Sequence, residues 1–235
     1  MKNFDYIEKN YSEITREIGE LSKKAGYGKV TLVCVTKSGS DEELLALVRA
    51  GADNIGENRP GELKRRGEIL REAGFEPSLH EIGTLQRNKV KYIIERVALI
   101  HSLDSDALAA EIEKQAAKLE RRVPVLVEIN SGEEESKSGI MPREAEAFCK
   151  RVLEYPHLEL KGLMTMGPVC DDPEDIRPYF KSTRAIFERL SDMGIFSGEP
   201  ILSMGMSDSY RIAIEEGSTL VRVGRRLFCK QEKEI

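Results

Sequence analysis

The chain has 235 residues, 36 Lys+Arg against 41 Asp+Glu, and a formal net charge of −5. With 40% apolar and 33% charged residues, it is neither a disordered tail nor a chain too small to bury its own core. Interspersed charge on an acidic balance argues against nucleic acid as the main partner, and the longest apolar runs, such as VPVLV at 123–127, fall far short of the ~20 residues of a membrane span.

Phe4, Ile7, Tyr11, Ile14, Ile18 and Leu21 recur at steps of three and four, forming one apolar stripe on a helix that Gly26 and Gly28 end. VTLVCVTK at 30–37 is nearly continuous and β-branched, as expected for a parallel strand buried on both faces. A capped helix follows in SGSDEELLALVRAGA. Strand-like segments then come at 54–56, 79–82, 98–103, 123–130, 158–165, 201–204 and 219–223. Amphipathic stretches lie near 59–73, 86–95, 105–121, 142–153, 173–193 and 207–217. Pro142 and Pro173 stand where helices begin. This pattern predicts an α/β fold: a single (β/α)8 TIM barrel with an extra N-terminal helix, occupying 1–235 as one domain. An open doubly wound sheet is the competitor, but no GxGxxG follows the first strand.

The cysteines at 34, 149, 170 and 229 form no CxxC, and the three histidines, 80, 101 and 157, complete no zinc spacing, so no metal site is expected. Cys34 reads as a buried thiol. The polar start MKNFDYIEKNYSE resembles neither a signal nor a transit peptide. A reducing cytoplasm is the expected location.

In a barrel the C-terminal strand ends form one rim, where chemistry resides. The exits here carry Lys37, Glu57 and Asn58, Gly83, Ser102 to Asp104, Asn130 and Ser131, Thr165 to Gly167, Ser203 to Gly205, and Gly224 and Arg225. Strand alternation puts Lys37 on the face of Val33 and Val35, where desolvation would free its amine as a nucleophile. The plain alternative is a lysine reaching out to solvent. Arg222 lies between two valines of the last strand, either paired with a core carboxylate or donating to a ligand acceptor. The loops SMGMS (203–207) and GRR (224–226) occupy the usual barrel phosphate position. His80 alone reads as a satisfied core histidine. Met164, Met166, Met204 and Met206 suit soft packing against core or a ligand ring.

Motifs throughout the chain support a resemblance. VTK at 35–37, GEN at 56–58, H-x-IG-x-LQ-x-NK at 80–89, HSLD at 101–104, ExxKSG at 134–139, LKGLMTMG at 160–167 and SMGMSDSYRIAIEEGSTLVRVG at 203–224 are its markers. From about residue 5 to 228 the chain resembles the pyridoxal phosphate homeostasis proteins of YggS/PROSC type. The resemblance implies a barrel like the N-terminal domain of alanine racemase, pyridoxal phosphate fold type III. It implies pyridoxal 5'-phosphate held as an aldimine on Lys37, with Arg222 facing the ring nitrogen. It places Ser203, Gly224 and the backbone of Arg225 at the phosphate, and Asn58, His80, Met204 and Ser207 along the pocket. Glu81 replaces an aromatic, Arg59–Pro60 follow GEN, and Cys229 replaces a glycine.

The expected function is cofactor handling: holding pyridoxal phosphate and supplying it to apo-enzymes, as a monomer without nucleic-acid or membrane partners and without substantial turnover. The alternative is a racemase-like enzyme with weak activity. Racemization needs acid/base groups on both faces of a carbanion. Lys37 supplies one. The resembling racemases take the other from a second domain that this sequence does not continue into. An arginine at the ring nitrogen also weakens the electron sink. A barrel enzyme acting on another phosphate ester is the third reading. Lys89 and Lys137 are weaker candidates for a transient aldehyde contact, their ordinary reading being solvated surface lysines.

Overall fold

The structure, a computed structural model, describes residues 4–230. Eight parallel strands close a barrel in sequence order: β1 (Thr31–Val35), β2 (Asn54–Glu57), β3 (Ser78–Glu81), β4 (Val97–Leu103), β5 (Val123–Glu128), β6 (Leu158–Met164), β7 (Ile201–Ser203) and β8 (Leu220–Val223). The seam is completed by β8 on β1, with Val33 opposite Arg222 and Cys34 opposite Val223.

The helices form the outer ring: α1 (Asp5–Ala25), α2 (Asp41–Arg49), α3 (Pro60–Glu72), α4 (Asp106–Ala117), α5 (Ala145–Val152), α6 (Arg177–Asp192), α7 (Tyr210–Glu215) and α8 (Arg225–Phe228). Their limits follow local chemistry. Gly26 ends α1 in the left-handed conformation, at φ 74°. Ser40 and Glu43 cap α2 reciprocally. Pro142 and Pro173 open 3-10 turns, Pro142–Glu144 and Pro173–Ile176, that lead into α5 and α6.

Alternation along the strands divides the apolar residues between two cores. Val33, Leu99, Leu126, Met164 and Leu220 pack inside the barrel. Cys34, Ile55, Ile100, Val125, Val127, Leu163 and Val221 face outward and join the helices in the main core. A fully buried Val or Leu contributes roughly 1.5–3 kcal/mol. Cys34 is buried as expected, and its desolvated thiol is held far above the ordinary range.

Helix α1 braces the end of the chain. Its Asn10 donates to the carbonyls of Leu227 (3.1 Å) and Cys229 (2.9 Å). Its Glu17 accepts from Tyr210 at 2.7 Å and pairs with Arg226 at 3.3 Å.

Three expected elements differ. The stretch at 86–95 forms a 3-10 segment, Arg87–Tyr92, rather than an α-helix. Strand β1 stops at Val35, because residues 36–39 turn away, with Gly39 N–H bonded to the Thr36 carbonyl at 2.9 Å. Strand β5 stops at Glu128, beyond which Ile129 makes an isolated bridge with Ile140. Among the described residues, no helix is long and apolar enough to cross a membrane, and no cluster of three or more His, Cys, Asp or Glu side chains suits a metal.

Candidate functional site

The β1–β8 seam brings together residues from opposite ends of the sequence. Lys37 stands two positions past β1 and is exposed. Packing by the protein therefore does not desolvate its amine, contrary to the expectation from strand alternation. The turn carrying it is held by α3. Arg66 donates to the carbonyl of Thr36 and, at 2.6 Å, to that of Gly39, so one guanidinium spans both ends of the turn. The same guanidinium pairs with Glu57 at 3.0 Å, and the Thr36 hydroxyl donates to that carboxylate. Burial pushes the Glu57 carboxyl upward, opposed by the Thr36 hydrogen bond and the Arg66 charge. From the other side the Phe228 ring of α8 presses on Gly39, where a Cβ would come within 2.6 Å.

Arg222 faces the barrel interior with 4% of its surface exposed. It donates to the Ser203 hydroxyl and to the Thr165 carbonyl, the latter at 3.0 Å. Burial lowers its guanidinium to about 10, opposed by the Glu128 charge. It therefore keeps its proton near neutral pH. Glu128, the last residue of β5, is pushed up to about 7 by burial and by Asp104, against the pull of Arg222.

Gly224 leaves β8 beside Val35. A Cβ there would lie 3.0 Å from the Val35 carbonyl oxygen, a tight contact where the two strand ends pass closely. The Gly224 N–H donates to the Ser207 hydroxyl at 3.3 Å. The Arg225 backbone opens the four-residue α8, while its exposed side chain pairs with Asp208.

The sequence-level candidates thus divide. Lys37, Arg222, Gly224, Ser207 and the backbone of Arg225 occupy one sector of the mouth. Asn58 is exposed just past β2, at the edge of the same rim. Ser203 is fully buried, its hydroxyl engaged by Arg222 and by His101, 3.1 Å away. His80 is also inside the barrel, with Nδ1 3.0 Å from His101 and Nε2 3.1 Å from Asn54. Both ring nitrogens are engaged, as in a satisfied core histidine. Met204 is fully buried in the main core, while Met166 and Met206 are exposed by 42% and 40%. Lys137 is exposed and pairs with Glu134 at 2.6 Å; Lys89 is exposed and lies 5.6 Å from the Tyr92 ring centre.

Sequence reasoning missed Arg66 and His101. The stripe Leu63, Arg66, Gly67, Leu70 is the signal for the first, because it sets a charge on the buried face of α3. Alternation with Leu99 is the signal for the second, since it turns His101 inward.

Comparison with known proteins places this geometry. Residues 10–231 match the family model described as "Alanine racemase, N-terminal domain". The pyridoxal phosphate homeostasis protein of Aquifex aeolicus is 39% identical over 92% of this chain and 95% of its own. The chain belongs to the pyridoxal phosphate homeostasis protein family. Its fold likeness extends to PipY of Synechococcus elongatus PCC7942, whose structure has PLP bound: 25% identity, TM-score 0.82, covering 95% of this chain and 100% of PipY. Alanine racemase from Corynebacterium glutamicum shares the barrel with this family member at TM-score 0.71 and 19% identity, over 99% of this chain and 63% of the racemase.

Proposed function

We propose that this protein binds pyridoxal 5'-phosphate through Lys37, holds it reversibly and supplies it to apo-enzymes, as a cytoplasmic, monomeric, single-domain carrier. One observation carries the reading: the β1–β8 seam brings the exposed Lys37, just past β1, close to the buried Arg222 of β8 and to Gly224 after it.

The donor set suits the cofactor. Pyridoxal phosphate supplies an aldehyde that condenses reversibly with a primary amine, releasing water. Lys37 offers that amine on an exposed turn, accessible for capture and for release. Arg222 only donates, so it favours an unprotonated ring nitrogen. For the phosphate, the backbone N–H of Arg225 and the Ser207 hydroxyl, which the Gly224 N–H holds in place, are the donors at the rim. Asn58 stands at the rim for a ring substituent. Ser203 and His80 serve from behind, because their polar atoms are already engaged inside the barrel.

The same arginine bears on the alternative, a racemase-like enzyme, by weakening the electron sink without removing it. Carbanion chemistry on this cofactor gains from a protonated ring nitrogen. A guanidinium donor opposes that protonation. The test mixes loaded protein with a pyridoxal-phosphate-dependent apo-enzyme and follows recovery of that enzyme's activity, beside an amino-acid racemization assay on the same preparation. Recovery without appreciable racemization supports the carrier. Racemization at ordinary enzyme rates of ~1–10³ per second overturns it.

A further inference from the structure

The barrel core contains a line of polar side chains running from Arg222 at the mouth to the start of β2 at the opposite end. Arg222 donates to Ser203 Oγ. Ser203 Oγ lies 3.1 Å from His101 Nδ1, and His101 Nε2 lies 3.0 Å from His80 Nδ1. His80 Nε2 lies 3.1 Å from Asn54 Oδ1. The Asn54 amide donates to Asp53 at 2.7 Å.

Both ends of this line have fixed polarity. A guanidinium only donates, and a carboxylate only accepts. Arg222 takes one lone pair of Ser203, and the serine proton points to His101 Nδ1, the remaining partner of that fully buried hydroxyl. His101 therefore carries its proton on Nε2 and donates to His80. At the other end Asp53 orients the Asn54 amide, so Oδ1 faces His80 and requires an Nε2–H. The two arguments meet at the 3.0 Å contact between the rings and agree there.

We infer that Asn54, His80, His101 and Ser203 form a one-way hydrogen-bond chain that fixes the Arg222 guanidinium, and that His101 is thereby a positioning residue for the cofactor's ring. Its functional half rests on the reading that Arg222 faces that ring. Both imidazoles must be neutral for the chain to hold. Burial pulls His80 down to about 4, with Asp53 opposing. Burial pulls His101 well below its ordinary value; repulsion from His80, were that ring protonated, and from the Arg222 charge adds to this. Glu128 is the charged group acting on Arg222 itself.

The test begins with nitrogen NMR of histidine-labelled protein without added ligand. At pH 7 both core rings should show the neutral Nε2–H form. His157, whose Nδ1 lies 2.7 Å from Glu113, supplies an internal contrast. An Nδ1–H form or a charged ring at either core histidine overturns the chain. The second arm titrates pyridoxal 5'-phosphate into folded Ser203→Ala, His101→Leu and His101→Asn. The first two should lose affinity roughly tenfold and shift the cofactor's absorption band. His101→Asn, which retains an acceptor near the Nδ1 position, should recover most of both. If Arg222→Gln alters affinity and spectrum while Ser203→Ala and His101→Leu do not, the positioning role is wrong. If Arg222→Gln also changes nothing while the NMR forms hold, the chain stands and the assignment of Arg222 to the ring fails.

Discussion

Lys37, just past β1, and Arg222, in β8, flank one seam, yet their surroundings are opposite. Lys37 is exposed on a turn gripped from outside the barrel, where Arg66 holds the carbonyls of Thr36 and Gly39. Arg222 is buried and gripped from inside, by Ser203 and the Thr165 carbonyl. The contrast matches the two tasks proposed for these residues. A reversible covalent link needs an amine that solvent and partners can reach, on a backbone that does not wander. A hydrogen bond to a ring nitrogen gains strength where water is excluded. The exposed end therefore has a fixed main chain and a free side chain, and the buried end has the side chain itself fixed.

Removing the exposed end should have the largest effect. Borohydride treatment of loaded protein should fix the cofactor on the peptide containing Lys37, and Lys37→Ala should abolish that label and the visible absorption. An unchanged label in the variant would place the primary site elsewhere. At the buried end, Arg222→Glu replaces a donor with an acceptor and should shift the cofactor's spectrum. A charge-assisted hydrogen bond contributes roughly 1.5–3 kcal/mol, so affinity should fall on the order of tenfold to a hundredfold. A variant with native spectrum and affinity would leave Arg222 a purely structural residue.

The outside grip can be weakened without touching either proposed binding group. Arg66→Lys cannot span two carbonyls, and Arg66→Met also leaves Glu57 without its cation. Capture of pyridoxal phosphate, followed by stopped-flow absorbance, should slow several-fold in Arg66→Lys and more in Arg66→Met. Equal rates in all three proteins would show that the turn needs no clamp.

A smaller effect concerns Glu81, fully buried at the end of β3, with Oε1 accepting from Gly83 N–H and Oε2 unpartnered. Burial pushes this carboxyl up to about 8; the Gly83 hydrogen bond opposes the shift, and the Glu57 charge adds to it. The folded chain thus holds a proton that the unfolded chain has released above its ordinary carboxylate pKa of ~4.3. Stability is present below that value and is lost as pH rises through about 8. Glu81→Gln should remove this loss, so its melting temperature should gain on the native protein from pH 5 to pH 8. A constant difference across that range would mean that Glu81 does not titrate in the fold.

The barrel was legible because periodicity is local. The run at 30–37 and the alternation around 98–103 announce their strands without reference to distant residues. The site was legible in part. Lys37 was visible as a strand-end amine, but its exposure was not, because alternation was extended past the point where residues 36–39 turn. Ser203 looked like a rim hydroxyl because its partner His101 is 102 positions away in the sequence. Arg66 was hidden for the same reason: the carbonyls it holds belong to another β/α unit, and only its place in the buried stripe of α3 marks it.

The bracing of α1 has a consequence for how the molecule is made. Its contacts to Tyr210 and to the Leu227 and Cys229 carbonyls span 193 to 219 positions of sequence. During synthesis the helix emerges long before these partners. Until then it has nearer anchors on the first β/α unit, where Tyr6 donates to Glu43 and Tyr11 donates to the Gly51 carbonyl at 2.9 Å. The chain must close a loop of almost its full length before α7 and α8 are fastened. Those two helices carry the loops proposed to hold the phosphate. A firm grip on the phosphate would then be acquired last, and retention of the cofactor would mark a chain whose two ends have met.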